Sequence, residues 1–452
     1  MIFVKTINDA PKKFSEQIVT LYGFCKQNRF NGKIGFINFN DGTSFKGIQV
    51  VYKKDNITNA DEISSARNGA ALEITGMIVL TPDAPQPFEL QATNIKLLNQ
   101  TDESYPLQNK QQGLEFLRDN AHLRPRTQLF SAVMKIRSEL AYAIHTYFHQ
   151  NNYIWVATPL ITSNDGEGAG ETFFLTTNDN EDFFGQKVNL TVTGQLHGEA
   201  YAQAFRNIYT FGPTFRAEKS HTARHAAEFW MIEPEIAFCD LTNLMLVAED
   251  MLKFVVNHFK NSCQDEIEFL KREIDPNIEN KISMLLNNEF NKMTYEDGIK
   301  ILADAVKNGH KFEDNNIYFG MDLGSEHERY LCETIVNGPL FLYNYPKQIK
   351  AFYMKQNDDG ITVAASDLLV PGIGELVGGS QREDDYDKLL KRCQELKMDL
   401  EPLNWYLNLR KYGYYMSSGF GLGFERLIMY LTGVNNIRDV IPFPRTHGTI
   451  NF

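Results

Sequence analysis

Thr214-Phe215-Arg216-Ala217-Glu218, a polar stretch, and then Glu228-Phe229-Trp230-Met231-Ile232-Glu233-Pro234-Glu235 read as strand, loop and strand. Arg216 leaves the end of the first strand, and Arg224 and His225 sit in the loop. Such a hairpin can hold cations over a polyphosphate, because the planar guanidinium fork binds two oxygens at once. Phe229 can stack on a flat base. Taken alone, the segment is equally compatible with a solvated surface loop.

Toward the C-terminus, Gly419-Phe420-Gly421-Leu422-Gly423-Phe424-Glu425-Arg426 alternates glycine along a strand and runs into the helical pattern Leu427-Ile428-Met429-Tyr430-Leu431-Thr432-Gly433. Alternating glycines clear one strand face for a ligand or a neighbouring backbone. Arg426 falls in the first helical turn, where an anion is favoured. The GxGxxG dinucleotide fingerprint and the GxxxxGK[ST] phosphate loop are both absent. Tight strand packing beside a surface arginine is the alternative.

Toward the N-terminus, Leu129, Val133, Ile136, Leu140, Ile144 and Phe148 repeat at helical spacing, and Tyr153 to Pro159 reads as a strand ended by proline. Residues 103–128 are polar and read as a hinge. Before them come five strand signals: Ile18–Phe24, Lys33–Phe39, Phe45–Tyr52, Leu72–Leu80 and Phe88–Leu98, with Asn40-Asp41-Gly42 as a turn. Five short strands in about a hundred residues predict a small closed barrel such as an OB-fold, with a plain β-sandwich as the alternative. Leu241 to Phe259 predicts a helix, residues 262–316 a helical insert, and Phe341 to Arg382 further strands. The division expected is therefore barrel 1–102, hinge 103–128 and catalytic domain 129–452.

Composition narrows the classes. The 452 residues are 43% hydrophobic and 23% charged, an ordinary globular mixture. No transmembrane run and no signal-peptide pattern is seen, so a cytoplasmic protein without membrane contact is expected. Five scattered cysteines without a CxxC pair make disulfides and cysteine zinc sites poor expectations. The net charge of −12 speaks against a protein coated by nucleic acid. A local aromatic or basic surface for RNA remains compatible, since residues 1–110 are close to neutral.

The hairpin, the glycine strand and the proline-ended strand together resemble the three signature motifs of class II aminoacyl-tRNA synthetases, in order. The match is nearest the asparaginyl and aspartyl subgroup and spans nearly the whole chain. The resemblance implies an α+β protein: an OB-fold barrel that binds the anticodon, and a catalytic domain with a mostly antiparallel sheet. It implies ATP as substrate, Mg²⁺ as cofactor, tRNA as partner and a homodimer built through 129–159. Arg216 resembles the α-phosphate ligand, Glu218 a contact to the adenine amino group, and Phe229 the adenine-stacking ring. Arg224 or His225, with Arg426, resemble the β/γ-phosphate contacts, Arg216 and Arg426 being the expected catalytic residues. Asp367 and Glu375 resemble Mg²⁺-binding carboxylates, a hard-oxygen set suited to that ion. In the barrel, Phe36 resembles a base-stacking aromatic and Gln49 a base-reading amide.

The substrate expected is L-asparagine, and the tRNA that of asparagine. Arg382 resembles the arginine that grips the side-chain oxygen. Aspartyl enzymes add a lysine three residues after the glutamine matched by Gln195; here Gly198 stands there. Glu233 stands where aspartyl enzymes carry Asp; it can accept from an amide and repels a carboxylate. Glu167 resembles the ligand of the α-ammonium, a task Gln195 can share. Two places depart from the pattern. Ser417 stands where relatives often carry His, which puts one nucleotide contact in doubt, and Lys219-Ser220-His221-Thr222-Ala223 differs from the commoner Asn-Ser-Asn-Thr-Ser. The rivals are an aspartyl enzyme, an asparagine-synthetase-like paralogue, which would lack the barrel, and a non-catalytic nucleic-acid-binding paralogue.

Overall fold

The computed structural model describes all residues except 85, 109–111, 165, 167–170 and 178–181. Two compact units divide the chain, Met1–Ala132 and Val133–Phe452.

The first unit is built on a closed five-stranded barrel: β1 (Ile18–Phe30), β2 (Ile34–Asn40), β3 (Ile48–Lys53), β4 (Ala71–Leu80) and β5 (Phe88–Asn99), in the order β1-β2-β3-β5-β4. Along β4, Leu72, Ile74, Gly76 and Ile78 turn inward while their neighbours face out, the period-two pattern of a strand with one buried face. Val19, Leu21, Ile37, Phe39, Val50 and Leu90 complete the interior. The expected barrel is present, with one strand shorter than its sequence suggests. Phe45 and Lys46 lie outside β3 because Asn40 Nδ2 caps Ser44 O at 2.9 Å and Gly47 turns the chain at φ +72°. Residues 103–128 also carry structure of their own. The helix Leu114–Asp119 and a short 3₁₀ turn set Leu117 beside Leu107 and Phe130 in a small apolar cluster.

The second unit is organised by an eight-stranded sheet. Its strands, taken in chain order with a small three-stranded sheet (β7, Ile161–Thr162; β8, Phe174–Leu175; β9, Val188–Leu190), are β6 (Ile154–Trp155), β10 (Asn207–Phe215), β11 (Glu228–Ala237), β12 (Asn291–Thr294), β13 (Leu340–Pro346), β14 (Thr362–Val370), β15 (Gly374–Gln381) and β16 (Ser417–Gly423). The order is β12-β13-β14-β15-β16-β11-β10-β6. Only the two edge pairs, β12 with β13 and β10 with β6, are parallel. A mostly antiparallel sheet is thus observed as expected.

Helices cover the sheet where their apolar stripes require it. In Leu241–Ser262, Leu244, Ala248, Met251, Val255 and Phe259 are buried at helical spacing, and the Asp240 carboxylate caps the Asn243 N–H at 2.8 Å. The segment 262–316 does more than add helices. Besides Gln264–Glu273, Ile278–Asn287 and Tyr295–Lys307, it supplies β12, the edge strand of the main sheet. Tyr295, Ile299 and Leu302 pack into the same core as Leu340 and Leu342. Among the described residues, no helix is long and apolar enough to cross a membrane.

Candidate active site

Strand pairing assembles the site from distant parts of the chain. β10 and β11 form the expected hairpin, with Thr210 opposite Glu233 and Thr214 opposite Phe229. β11 then pairs with β16, placing Glu235 beside Gly419. β16 pairs with β15, and β15 with β14, so that Asp367 lies opposite Gly378. Phe229, Met231, Glu233 and Glu235, Gly378 and Asp367 therefore share one surface of the sheet.

At the hairpin end, the Arg216 guanidinium lies 5.4 Å from the centre of the Phe229 ring. His225 Nε2 approaches Glu218 at 3.4 Å, and its Nδ1 meets Thr222 Oγ1 at 2.5 Å. Arg224 reaches across to β15's approach, donating to the carbonyl of Ile373 at 3.1 Å and to Ser325 Oγ at 3.2 Å. Burial, then the charges of Arg426 and Arg329, depress its pKa. Such crowded cations are relieved by an anion placed among them. Arg426, in the first turn of the helix Phe424–Thr432, donates to the Glu375 carbonyl at 3.1 Å and faces its carboxylate at 3.5 Å.

Asp367 and Glu375 converge over Gly378. A Cβ built on that glycine would lie 2.8 Å from Glu375 Oε1 and 3.4 Å from Asp367 Oδ1. Two hard oxygen donors over one cleared point suit Mg²⁺, whose octahedron is completed by other oxygens. Among the described residues, no group of three or more His, Cys, Asp or Glu forms a full cation cage. Two neighbours escaped the sequence reading. Lys350 Nζ holds Asp367 Oδ2 at 2.5 Å. Burial opposes its charge, but Asp367 and Glu375 outweigh burial and raise its pKa. Glu328 accepts from the Glu375 N–H at 3.1 Å, and burial, reinforced by Glu375, pushes its carboxyl up to about 7.

The pocket expected to read the amino acid lies deeper. Arg382, only 2% exposed, is gripped by Glu235 through Nε at 3.1 Å and through Nη2, and Nη1 donates to Ser380 Oγ at 2.8 Å. Burial raises the Glu235 carboxyl to about 7 against the opposing pull of Arg382, whose two-point contact ties the pair together. Gly419 is required here, since any Cβ would overlap the Glu235 carboxylate. The Glu233 carboxylate accepts from Thr193 Oγ1, from the Gly194 N–H at 2.9 Å and from Thr210 Oγ1 at 2.7 Å. Gly194 caps the N-terminus of the helix Gln195–Phe205, whose dipole favours a negative charge at that end. Gln195 opens that helix; it is 7% exposed, and its Nε2 has no partner among the described residues. Gly198 leaves no room for a larger residue without displacement: a Cβ would lie 3.1 Å from Ile208 Cδ1. Glu167 lies outside the described residues.

Behind this helix lies a buried ion pair also missed in the sequence. Glu199 takes Arg410 Nη2 at 2.5 Å, Tyr406 OH at 2.6 Å and Tyr414 OH at 2.6 Å. Tyr414 OH also meets Ser417 Oγ. The departure at Ser417 therefore faces this network.

In the first unit, Phe36 is 42% exposed on the outer face of the barrel. Gln49 lies on the same face, opposite Asn38, with its Nε2 3.4 Å from Glu89 Oε2. The outward position removes the barrel-core alternative for Phe36.

A mostly antiparallel sheet that brings Arg216, Phe229, Glu375 and Arg426 to one side, beside the buried Glu235–Arg382 pair, has the architecture of a class II synthetase. The comparisons agree. Residues 113–447 match the family of tRNA synthetases class II (D, K and N). An asparagine–tRNA ligase of Ureaplasma parvum is 60% identical, with 97% of each chain covered, and one of Mesoplasma florum is 55% identical, with 99% of each covered. The crystal structure of asparaginyl-tRNA synthetase from Pyrococcus horikoshii complexed with asparaginyl-adenylate superposes with a TM-score of 0.86 at 32% identity, with 97% of each chain covered. The chain belongs to the class II tRNA synthetases of the D, K and N group.

Proposed function

We infer that this chain activates L-asparagine with ATP and transfers it to the 3′ end of its tRNA. One observation supports the choice of amino acid: the buried Glu233 lies near Glu235, the ion-pair partner of Arg382, and the position of the aspartyl-type lysine is Gly198, where a Cβ would meet Glu235 and Thr210. Glu235 pairs with Arg382, whereas Glu233 accepts from Thr193, Gly194 and Thr210 and so stands as one negative charge without a cation among its described partners. An aspartate side chain would add a second. An asparagine side chain offers an oxygen to Arg382 and an N–H to Glu233. A site with committed polar partners rejects a mismatched analogue strongly, because its buried groups are left unpaired. Gln195, whose amide N–H group has no partner among the described residues, is assigned to the amino-acid main chain together with Glu167.

The chemistry follows from charge. The asparagine carboxylate attacks the α-phosphorus of ATP, and pyrophosphate leaves. Negative charge grows on phosphate oxygens, so cations fixed around them stabilise the transition state more than the ground state. Arg216 is assigned to the α-phosphate, and Arg224, His225 and Arg426 to the β/γ-phosphates. Phe229 and Glu218 hold the adenine. Asp367 and Glu375 would hold Mg²⁺, which supplies charge neutralisation on the polyphosphate when bound. No protein nucleophile is required, and the terminal ribose hydroxyl of the tRNA then attacks the adenylate.

Phe36 and Gln49 are assigned to the anticodon. A ring exposed on a barrel strand is a stacking platform for an unpaired base. The homodimer is assigned to the first helix and strand of the second unit, where Tyr142, Ile154, Trp155, Leu160 and Ile161 are exposed. Exposed large apolar side chains concentrated in one stretch of the chain support an interface there. The cytoplasm is the compartment proposed.

Charging of an asparagine tRNA transcript tests the whole proposal. Attachment of labelled asparagine to the 3′ end supports it, and attachment of aspartate alone would replace it with the aspartyl reading.

A further inference from the structure

A carboxylate that reads an amide must be held still, because a rotating carboxylate offers its oxygens in many directions and discriminates poorly. Glu233 is held. It is 5% exposed, and Thr210, directly opposite it in the β10–β11 ladder, is 4% exposed. Directly opposed residues of an antiparallel pair put their side chains on the same face. Thr210 Oγ1 accordingly donates to Glu233 Oε2 at 2.7 Å. The same oxygen receives the Gly194 N–H at 2.9 Å, and Oε1 receives Thr193 Oγ1. An ionised carboxylate offers about four acceptor positions. Three are filled among the described residues, both on Oε2 and one on Oε1.

Thr210 also braces the donor beside it. A Cβ built on Gly194 would lie 3.1 Å from Thr210 Cγ2 and 3.0 Å from Glu233 Oε2. The threonine thus sits close to the N-cap of the helix that carries Gln195 as well as to the carboxylate. Valine is nearly isosteric with threonine and keeps the packing, but cannot donate. Serine keeps the donor and loses the methyl.

We propose that Thr210 is a specificity-determining positioning residue: its hydroxyl saturates Glu233 Oε2, so that Glu233 presents a single acceptor direction, on Oε1, to the side-chain amide of asparagine. This rests on the assignment of Glu233 as the amide reader. In the absence of the Thr210 hydroxyl, Oε2 regains an open acceptor position and the carboxylate can turn, admitting side chains that the fixed geometry excludes.

The test compares Thr210→Val, Thr210→Ser and Glu233→Gln in the full chain. It uses ATP–pyrophosphate exchange with asparagine and with aspartate, together with the KM for ATP and the melting temperature. A hydrogen bond to a charged group is strong enough for Thr210→Val to lower the asparagine-to-aspartate ratio of kcat/KM by roughly tenfold or more. KM for asparagine rises, KM for ATP stays put, and Thr210→Ser restores the ratio. Should valine disturb the fold, Thr210→Ala reads the same ratio without added bulk. An unchanged ratio in the hydroxyl-free variants, with a changed ratio in Glu233→Gln, overturns the proposal and leaves the Glu233 assignment standing. An unchanged ratio in Glu233→Gln overturns both. A ratio lost in Thr210→Ser but retained in Thr210→Val assigns the effect to the methyl group and also overturns the proposal.

Discussion

Glu235 and Arg382 lie 147 residues apart in sequence and form a two-point ion pair in the interior of the second unit, Nε to Oε2 at 3.1 Å and Nη2 to Oε1. Breaking a buried pair by removing one charge leaves the other without compensation, at about 3–5 kcal/mol. Glu235→Gln is expected to lower stability by that order in urea denaturation and to raise KM for asparagine. A variant as stable as the parent, with an unchanged KM, would show that Arg382 is held by something else.

Glu233→Gln replaces a repelling carboxylate by an amide that can donate to a carboxylate substrate. Discrimination against aspartate should fall by about ten- to a hundredfold, the range of one to three kilocalories for a single polar contact. The kcat/KM values for the two amino acids measure this directly.

Phe36→Ala removes a ring that is 42% exposed, so the barrel core is untouched. Loss of one base–aromatic stack corresponds to roughly 1–3 kcal/mol. Charging of tRNA should weaken accordingly, through KM for tRNA, while adenylate formation in its absence stays near the parent level. Equal loss of both activities would contradict the assignment to the anticodon.

His197 follows Gln195 and Leu196 in the helix Gln195–Phe205, and its ring stacks on Trp405 with centroids 5.1 Å apart. Burial lowers its pKa below the ordinary value of 6.5. The unfolded chain therefore takes up the proton first as pH falls. The stability that neutral His197 supports is fully present above pH 6.5 and is lost as pH drops through the folded-state pKa. His197→Gln should flatten this acid loss below pH 6.5 in thermal denaturation; an unchanged slope would assign the proton uptake to another group.

Much of this architecture was legible because local signals carry it. The barrel shows in strict alternation such as Leu72-Glu73-Ile74-Thr75, and the helix Gln128–Gln150 in the spacing from Leu129 to Phe148. The residues assigned to ATP lie in two contiguous motifs, so Arg216, Phe229 and Arg426 could be named together. What escaped is set by long-range pairing. Glu199 meets Arg410 across 211 residues, and nothing near either marks them as partners. Lys350, in the turn just past β13, meets Asp367 of the antiparallel neighbour β14 across 17 residues. β12 was hidden inside a polar segment because four residues at a sheet edge carry too short a pattern to stand out between helices.

The central claim is that this pocket activates asparagine and refuses aspartate. Amino-acid-dependent ATP–pyrophosphate exchange, with the two amino acids side by side and Mg²⁺ present, tests it most directly. Exchange with asparagine, and only background exchange with aspartate, is the result predicted. Efficient exchange with aspartate would contradict the roles given to Glu233, Gly198 and Arg382.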